Sequence, residues 1–193
     1  MEQEETQSVR KRRALEAFLV SAARSGDAAA TEKLVRLLQP RLLSHAHRLL
    51  GDADGARDVT QAAWIDILWG LPRLRAVSAF HVYALRIVSR KVARVIRGKQ
   101  RDRHLANDWA VTCVTEEPPL GERDADASAV RAAMARLKPA HSATLALFYL
   151  EGMTVSEVAA SMDVPMGTVK TRLMHAREQL RHVLEVDNHD QTG

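Results

Sequence analysis

A chain of 193 residues can form one domain or two compact ones, each with a modest core. Its 28 Lys and Arg exceed 24 Asp and Glu by a formal +4, too little to prove a polyanion partner, and the single cysteine, Cys113, excludes an internal disulfide framework and suits a reducing cytoplasm. No apolar run approaches the roughly 20 residues that cross a bilayer, and the start MEQEETQSVRKRR lacks the apolar core of a signal peptide, so a cytoplasmic protein without membrane insertion is expected.

Ala, Leu, Arg and Glu dominate, and no segment alternates apolar and polar residues for long, so the expected class is all-α. Helices are predicted near 12–24, 28–50, 53–70, 78–99, 127–137, 140–150, 154–162 and 166–185, with Gly51, the step Gly70-Leu71-Pro72 and Lys138-Pro139 as breaks. Ahead of them, residues 1–13 combine an acidic start with the cluster Arg10-Lys11-Arg12-Arg13.

On the fourth helix, Arg86, Arg90, Arg94, Arg97 and Arg101 fall within a sector of about 80°, opposite Leu85, Val88, Val92, Val95 and Ile96. Five cations on one face repel one another, and the acidic companions one turn away that a solvated helix usually carries are missing. Phosphate is therefore the favoured partner, against the plainer alternative of a ridge without a function. The stretch that follows holds Glu116, Glu117, Pro118, Pro119, Gly121, Glu122, Asp124 and Asp126 and shows no period. It reads as a flexible acidic linker over 103–127, joining two small helical domains at 10–102 and 128–187.

Near the end, Thr154 followed by Glu157 forms a capping box, in which each side chain satisfies the other's free backbone N–H. Val155, Val158, Ala159 and Met162 then make one apolar stripe, and Pro165 interrupts the chain before a second helix. Along that helix Val169, Leu173, Ala176, Leu180, Val183 and Leu184 share one sector, while Lys170, Thr171, Met174, Arg177, Glu178 and Arg181 occupy the opposite one. Two helices across a turn of about three residues are a helix-turn-helix, with the polar face available to bases and phosphates.

Other chemistry finds little support. Asp52, Asp54 and Asp58 sit where a helix dipole favours carboxylates without an ion, and His45 and His47 lie about 200° apart on a helix. His104 and Cys113 are too few ligands for a structural zinc, and no Gly-rich phosphate loop, serine elbow or HExxH motif is present. No metal, cofactor or small-molecule substrate is expected, and no enzyme. A stand-alone helix-turn-helix repressor or activator explains the C-terminal half, but leaves the arginine ridge and the LPRLR loop without a role. A recombinase or nuclease requires converging acidic residues, which are scattered here.

Further motifs narrow the choice. In the first half these are Leu49-Leu50-Gly51-Asp52, Ala56-Arg57-Asp58-Val59-Thr60-Gln61, Leu71-Pro72-Arg73-Leu74-Arg75, Ser78-Ala79-Phe80 and Arg86-Ile87. In the second they are Arg136-Leu137-Lys138-Pro139, Phe148-Tyr149-Leu150-Glu151-Gly152-Met153-Thr154, and the run from Val164 to Arg172 followed by Ala176-Arg177. Their order resembles the extracytoplasmic-function (ECF) group of bacterial RNA polymerase sigma factors, from about Leu34 to Leu184.

That resemblance implies an alternative sigma factor, with a second domain of winged-helix-like type, that docks on core RNA polymerase, directs it to promoter DNA and helps open the duplex. Such proteins commonly have an anti-sigma factor as a further partner. It assigns the minus-thirty-five element to Thr168, Lys170, Thr171, Arg172, Met174, His175 and Arg177, and the minus-ten element to Arg73, Arg75, Phe80, Tyr83, Arg86, Arg90, Arg94 and Arg97. The loop Gly70 to Ala79 resembles the family loop that takes an unstacked base. Asp58, Gln61, Trp64 and Ile65 form the polymerase-facing set, although core packing explains Trp64 and Ile65 equally well. The acidic linker either mimics nucleic acid in the polymerase's RNA path or is a solvated tether. Three positions depart from the pattern: Ala62 replaces an acidic residue, Tyr83 a tryptophan, and Arg90 an asparagine that lies near minus-ten DNA, which implies altered base preference or a phosphate contact.

Overall fold

The computed structural model describes residues 2–105, 130 and 132–190, with side chains over 7–101, at 130 and over 132–182. Among the described residues every regular element is helical. The first half comprises α1 (Glu2–Arg24), α2 (Ala28–Leu50), α3 (Ala53–Gly70) and α4 (Phe80–Leu105), with short 3₁₀ turns at Leu71–Arg73 and Val77–Ala79 between α3 and α4. The second half comprises a helical segment at 132–135, α5 (Pro139–Leu145) running into a π-turn at Ala146–Leu150, then α6 (Val155–Met162) and α7 (Met166–Asp190). The expected linker beyond Leu105, with Cys113, lies outside the described residues.

Caps and breaks account for most of the boundaries. The Asp27 carboxylate accepts the Ala30 N–H at 3.0 Å to start α2, and Gly51, at φ +67°, ends it by donating its N–H to the His47 carbonyl. Several boundaries differ from expectation: α4 runs on to Leu105, into the stretch expected as linker, and α7 runs on to Asp190. Residues 77–79 wind as a 3₁₀ turn, so α4 begins at Phe80, and α1 starts at Glu2, with Arg12 and Arg13 further along it meeting the second half. The π-turn is a further difference: the Glu151 N–H reaches back five residues to the Ala146 carbonyl at 3.1 Å. Such a turn inserts one extra residue and re-aims the chain that follows.

Leu19 and Val20 of α1, Leu34, Leu38 and Leu42 of α2, Ala63, Trp64 and Ile67 of α3, and Phe80, Val88 and Val92 of α4 fill the first core. Val158 and Ala159 of α6 close on Val169, Leu173 and Ala176 of α7 in the second. The halves pack against each other, α4 on α6 and α2 on α5. No described helix is long and apolar enough to cross a membrane.

His45 is sealed between α2 and α4, its Nε2 2.9 Å from the Ser89 hydroxyl, and burial, helped by nearby Arg48, pushes it down to about 3. The unfolded chain therefore takes up a proton that the native chain refuses. This contribution to stability is complete above the ordinary value of 6.5 and is lost as pH falls from there toward 3, at about 1.4 kcal/mol per pH unit. His45→Leu should flatten the decline in urea midpoint as pH falls from 6.5 toward 5; an unchanged pH profile would place the acid sensitivity in other groups.

Candidate nucleic-acid interface

The helix-turn-helix is built from its caps inward. The Glu157 N–H donates to Thr154 Oγ1 at 3.3 Å, and the Thr154 N–H donates to Glu157 Oε2 at 2.8 Å, so the capping box is closed on both sides. Asp163 then turns the chain in the left-handed region, φ +56°, which aspartate tolerates better than most side chains, and Met166 opens α7 directly after Pro165. Packing of Val169, Leu173 and Ala176 against α6 fixes which face of α7 points outward.

Lys170, Thr171, Met174, His175 and Arg177 are all exposed, whereas Thr168 and Arg172 are half-buried. Burial holds the Arg172 guanidinium below the ordinary arginine range, so it is the least solvated cation of the set. Thr171 Oγ1 donates back to the Gly167 carbonyl at 3.0 Å, and the Arg177 guanidinium lies over the Tyr149 ring, 5.9 Å from its centroid. His175 stands apart from the others. Its ring stacks on His141 at 6.3 Å, in a shallow cavity of about 490 Å³ shared with Lys138, Glu178, Gln179 and His182.

On α4, Leu85, Val88 and Val92 are buried, and Arg90, Arg94 and Arg97 are exposed on the ridge. The ridge lacks acids one turn away, as expected, but meets a distant one. Arg86 Nη2 donates to Asp163 Oδ1 at 2.7 Å, and Arg90 Nε donates to Asp163 Oδ2 at 3.1 Å. First Arg86 and then Arg90 hold the Asp163 carboxyl below the usual carboxylate range. Among the described residues, Arg94 and Arg97 have no carboxylate partner.

Phe80, expected at the DNA surface, is fully buried: the preceding 3₁₀ turn aims it into the first core, with its ring 6.2 Å from that of Tyr83. Tyr83 is half-buried, its hydroxyl donating to the Asp66 carbonyl at 3.3 Å, and burial, followed by the Asp66 charge, pushes the phenol up. A Cβ added at Gly70 would collide with that hydroxyl, so glycine at the end of α3 is what lets Tyr83 lie against the loop. Gly70→Ala should cost about 1–3 kcal/mol in urea unfolding. Gly70→Ala combined with Tyr83→Ala should recover part of that loss, and strictly additive losses would contradict the contact. Arg75 is exposed, and Arg73 leans over the exposed Trp69 ring at 5.3 Å rather than joining the ridge.

The third surface is on α3. Asp58, Gln61 and Ile65 share an exposed stripe, while Trp64 is 8% exposed in the core, its indole N–H donating to Gln39 Oε1. Packing thus assigns Trp64 to the core and Ile65 to the surface. Trp69, which sequence reasoning passed over, completes the stripe one turn beyond Ile65 and is 76% exposed. Its signal was the helical spacing from Gln61 through Ile65. No three described His, Cys, Asp or Glu side chains converge as metal ligands.

A helical bundle bearing an arginine ridge, packed on a helix-turn-helix, defines a two-part protein of the sigma-70 class: residues 34–102 match Sigma-70 region 2, and residues 127–180 match Sigma-70 region 4. The chain is 30% identical over 168 residues to the ECF RNA polymerase sigma factor SigL of Mycobacterium tuberculosis, covering 83% of this chain and 94% of that one. To the RNA polymerase sigma-H factor of Pseudomonas aeruginosa it is 29% identical over 178 residues, covering 86% and 92%. The Bartonella quintana sigma factor RpoE, solved in complex with the anti-sigma factor NepR, shares the fold with a TM-score of 0.69 at 20% identity, covering 81% of this chain and 98% of that one. The chain belongs to the ECF sigma factors of RNA polymerase, and its role is that of an alternative sigma factor.

Proposed function

We propose that α3 docks this chain on core RNA polymerase through Asp58, Gln61, Ile65 and Trp69, and that the two halves then read one promoter together in the cytoplasm. On α7, Lys170 and Thr171 reach base edges, Met174 meets a thymine methyl, and Arg172 and Arg177 hold phosphates of the minus-thirty-five element. On the first half, Arg86, Arg90, Arg94 and Arg97 hold the backbone of the minus-ten element, and the Gly70 to Ala79 loop takes an unstacked base. Lifting that base costs a few kcal/mol, which the loop and the ridge offset. An anti-sigma factor is the expected negative regulator. The part played is binding and positioning, with no covalent step.

The observation that carries this reading is the presence of three outward surfaces on one chain: a stripe on α3 that exposes Ile65 and Trp69 beside Asp58 and Gln61, a cationic ridge on α4 and a polar, cationic face on α7. A stand-alone helix-turn-helix regulator uses only the last of them. Lys170→Ala together with Arg172→Ala should weaken binding to minus-thirty-five DNA by about tenfold or more and reduce the salt dependence, while polymerase association is retained. The measurement is fluorescence anisotropy on promoter fragments beside gel filtration with core polymerase. Loss of both activities together would contradict the division of labour between the halves.

A further inference from the structure

α1 lies outside both matched segments, yet it reaches one side of the junction between the halves, where Arg12 and Arg13 meet the segment 151–157. It packs on α2 and on the Val77–Ala79 turn of the base-accepting loop. Its Glu16 is 2% exposed and accepts from Arg41 Nη1 of α2 at 3.2 Å. Arg41 Nε donates to Glu151 Oε2, in the segment ahead of α6, at 2.7 Å, and Arg12 Nη2 of α1 donates to the same oxygen at 3.2 Å. Beside them, Arg13 Nη2 donates to the Gly152 carbonyl at 3.0 Å, and Arg13 Nη1 reaches Glu157 Oε1 at 3.5 Å.

Two further features tie this network to the DNA-reading parts. Glu157 is the capping-box glutamate of the helix-turn-helix, and its Oε1 also lies 3.3 Å from His81 Nε2 on α4. Gly152 sits at φ +59°, where a side chain is strained, and a Cβ there would crowd Val9 of α1 at 3.1 Å. Burial pushes the Glu16 carboxyl up against the pull of Arg41, and it draws the His81 imidazole down toward its neutral form. Ions buried in this way are costly unless each finds its partner, so the network selects one arrangement of the halves rather than simply adding stability.

On the other side of the same junction, Arg86 and Arg90 converge on the two oxygens of Asp163, as they would on a phosphate. We propose that the chain on its own is held closed by α1 acting as a clasp, with Asp163 occupying the arginines that promoter phosphates take, so that polymerase and DNA bind fully only when the clasp lets go. This rests on the reading of the α4 ridge as a DNA surface. A phosphate drawn to Arg86 and Arg90 would lie beside the Asp163 carboxylate and be repelled by it, and the closed form therefore competes with promoter binding.

Small-angle X-ray scattering on the full chain tests the clasp without polymerase. Arg12→Ala with Arg13→Ala removes the α1 contacts at half-exposed positions, and Asp163→Asn removes the charge while keeping a residue suited to positive φ. Each variant should retain the wild-type circular dichroism and show a larger maximum dimension, with core-polymerase affinity raised about tenfold if the free chain is about one-tenth open. Wild-type scattering already extended, or both folded variants as compact as wild type, overturns the clasp. Variants that open but bind no polymerase leave the clasp standing and overturn the polymerase-docking reading.

Discussion

Ile65→Glu combined with Trp69→Glu is expected to abolish association with core RNA polymerase, raising Kd by about 100-fold or more, with little change in the folding of the chain. The two side chains are 68% and 76% exposed, so neither supports the core. Surface substitutions of this kind usually alter stability by about 0.5 kcal/mol or less, plus the contact between Arg73 and the Trp69 ring, about 0.5–1 kcal/mol at an exposed site. Apolar anchors at the centre of an interface are each worth about 2 kcal/mol or more, and each glutamate also brings a charge that the interface must strip of water. Two anchors at that value amount to roughly three decades in Kd before any compensation. Isothermal titration with core polymerase measures the loss, and thermal unfolding shows that the fold persists. Undiminished affinity would remove the α3 stripe from the docking surface.

Phe80→Ala is expected to cost about 3–5 kcal/mol of folding stability, the usual loss for a buried phenylalanine whose cavity cannot collapse. Phe80 is among the largest fully buried side chains and packs where α4 meets the rest of the first core. A loss of that size is a large part of the roughly 5–15 kcal/mol that holds a domain folded, so any fall in DNA binding would follow from unfolding. Arg94→Ala and Arg97→Ala should behave in the opposite way, leaving the urea midpoint in place and lowering the salt dependence of DNA binding by about one phosphate each. Normal stability with lost minus-ten binding in Phe80→Ala would return that ring to the DNA surface.

Local signals transferred well: Thr154 and Glu157 announce a cap, Gly51 a helix end, and the spacing of Val158, Val169, Leu173 and Ala176 the inner face of the helix-turn-helix, because each depends on residues within a turn or two. Trp64 and Ile65 show the limit. They are neighbours separated by about 100° on the helix, and only the position of α2, where Gln39 meets the indole, decides which one is core. Phe80 was misplaced because a 3₁₀ turn replaced the expected first turn of α4 and set its direction. The acid that answers the arginine ridge was invisible to a search one turn away, since Asp163 lies 77 residues from Arg86 and 73 from Arg90. Likewise, nothing within residues 1–13 reveals that Arg12 and Arg13 find their carboxylates at Glu151 and Glu157.

In vitro transcription on a randomised promoter library tests most directly whether this chain gives core polymerase its choice of promoter. Core polymerase supplemented with the chain should produce transcripts whose start sites lie at a fixed distance downstream of two shared sequence elements, and the upstream element should be lost from the selected set when Lys170→Ala with Arg172→Ala is used instead. An absence of transcripts above those from core polymerase alone, with the same polymerase active under another sigma factor, would contradict it.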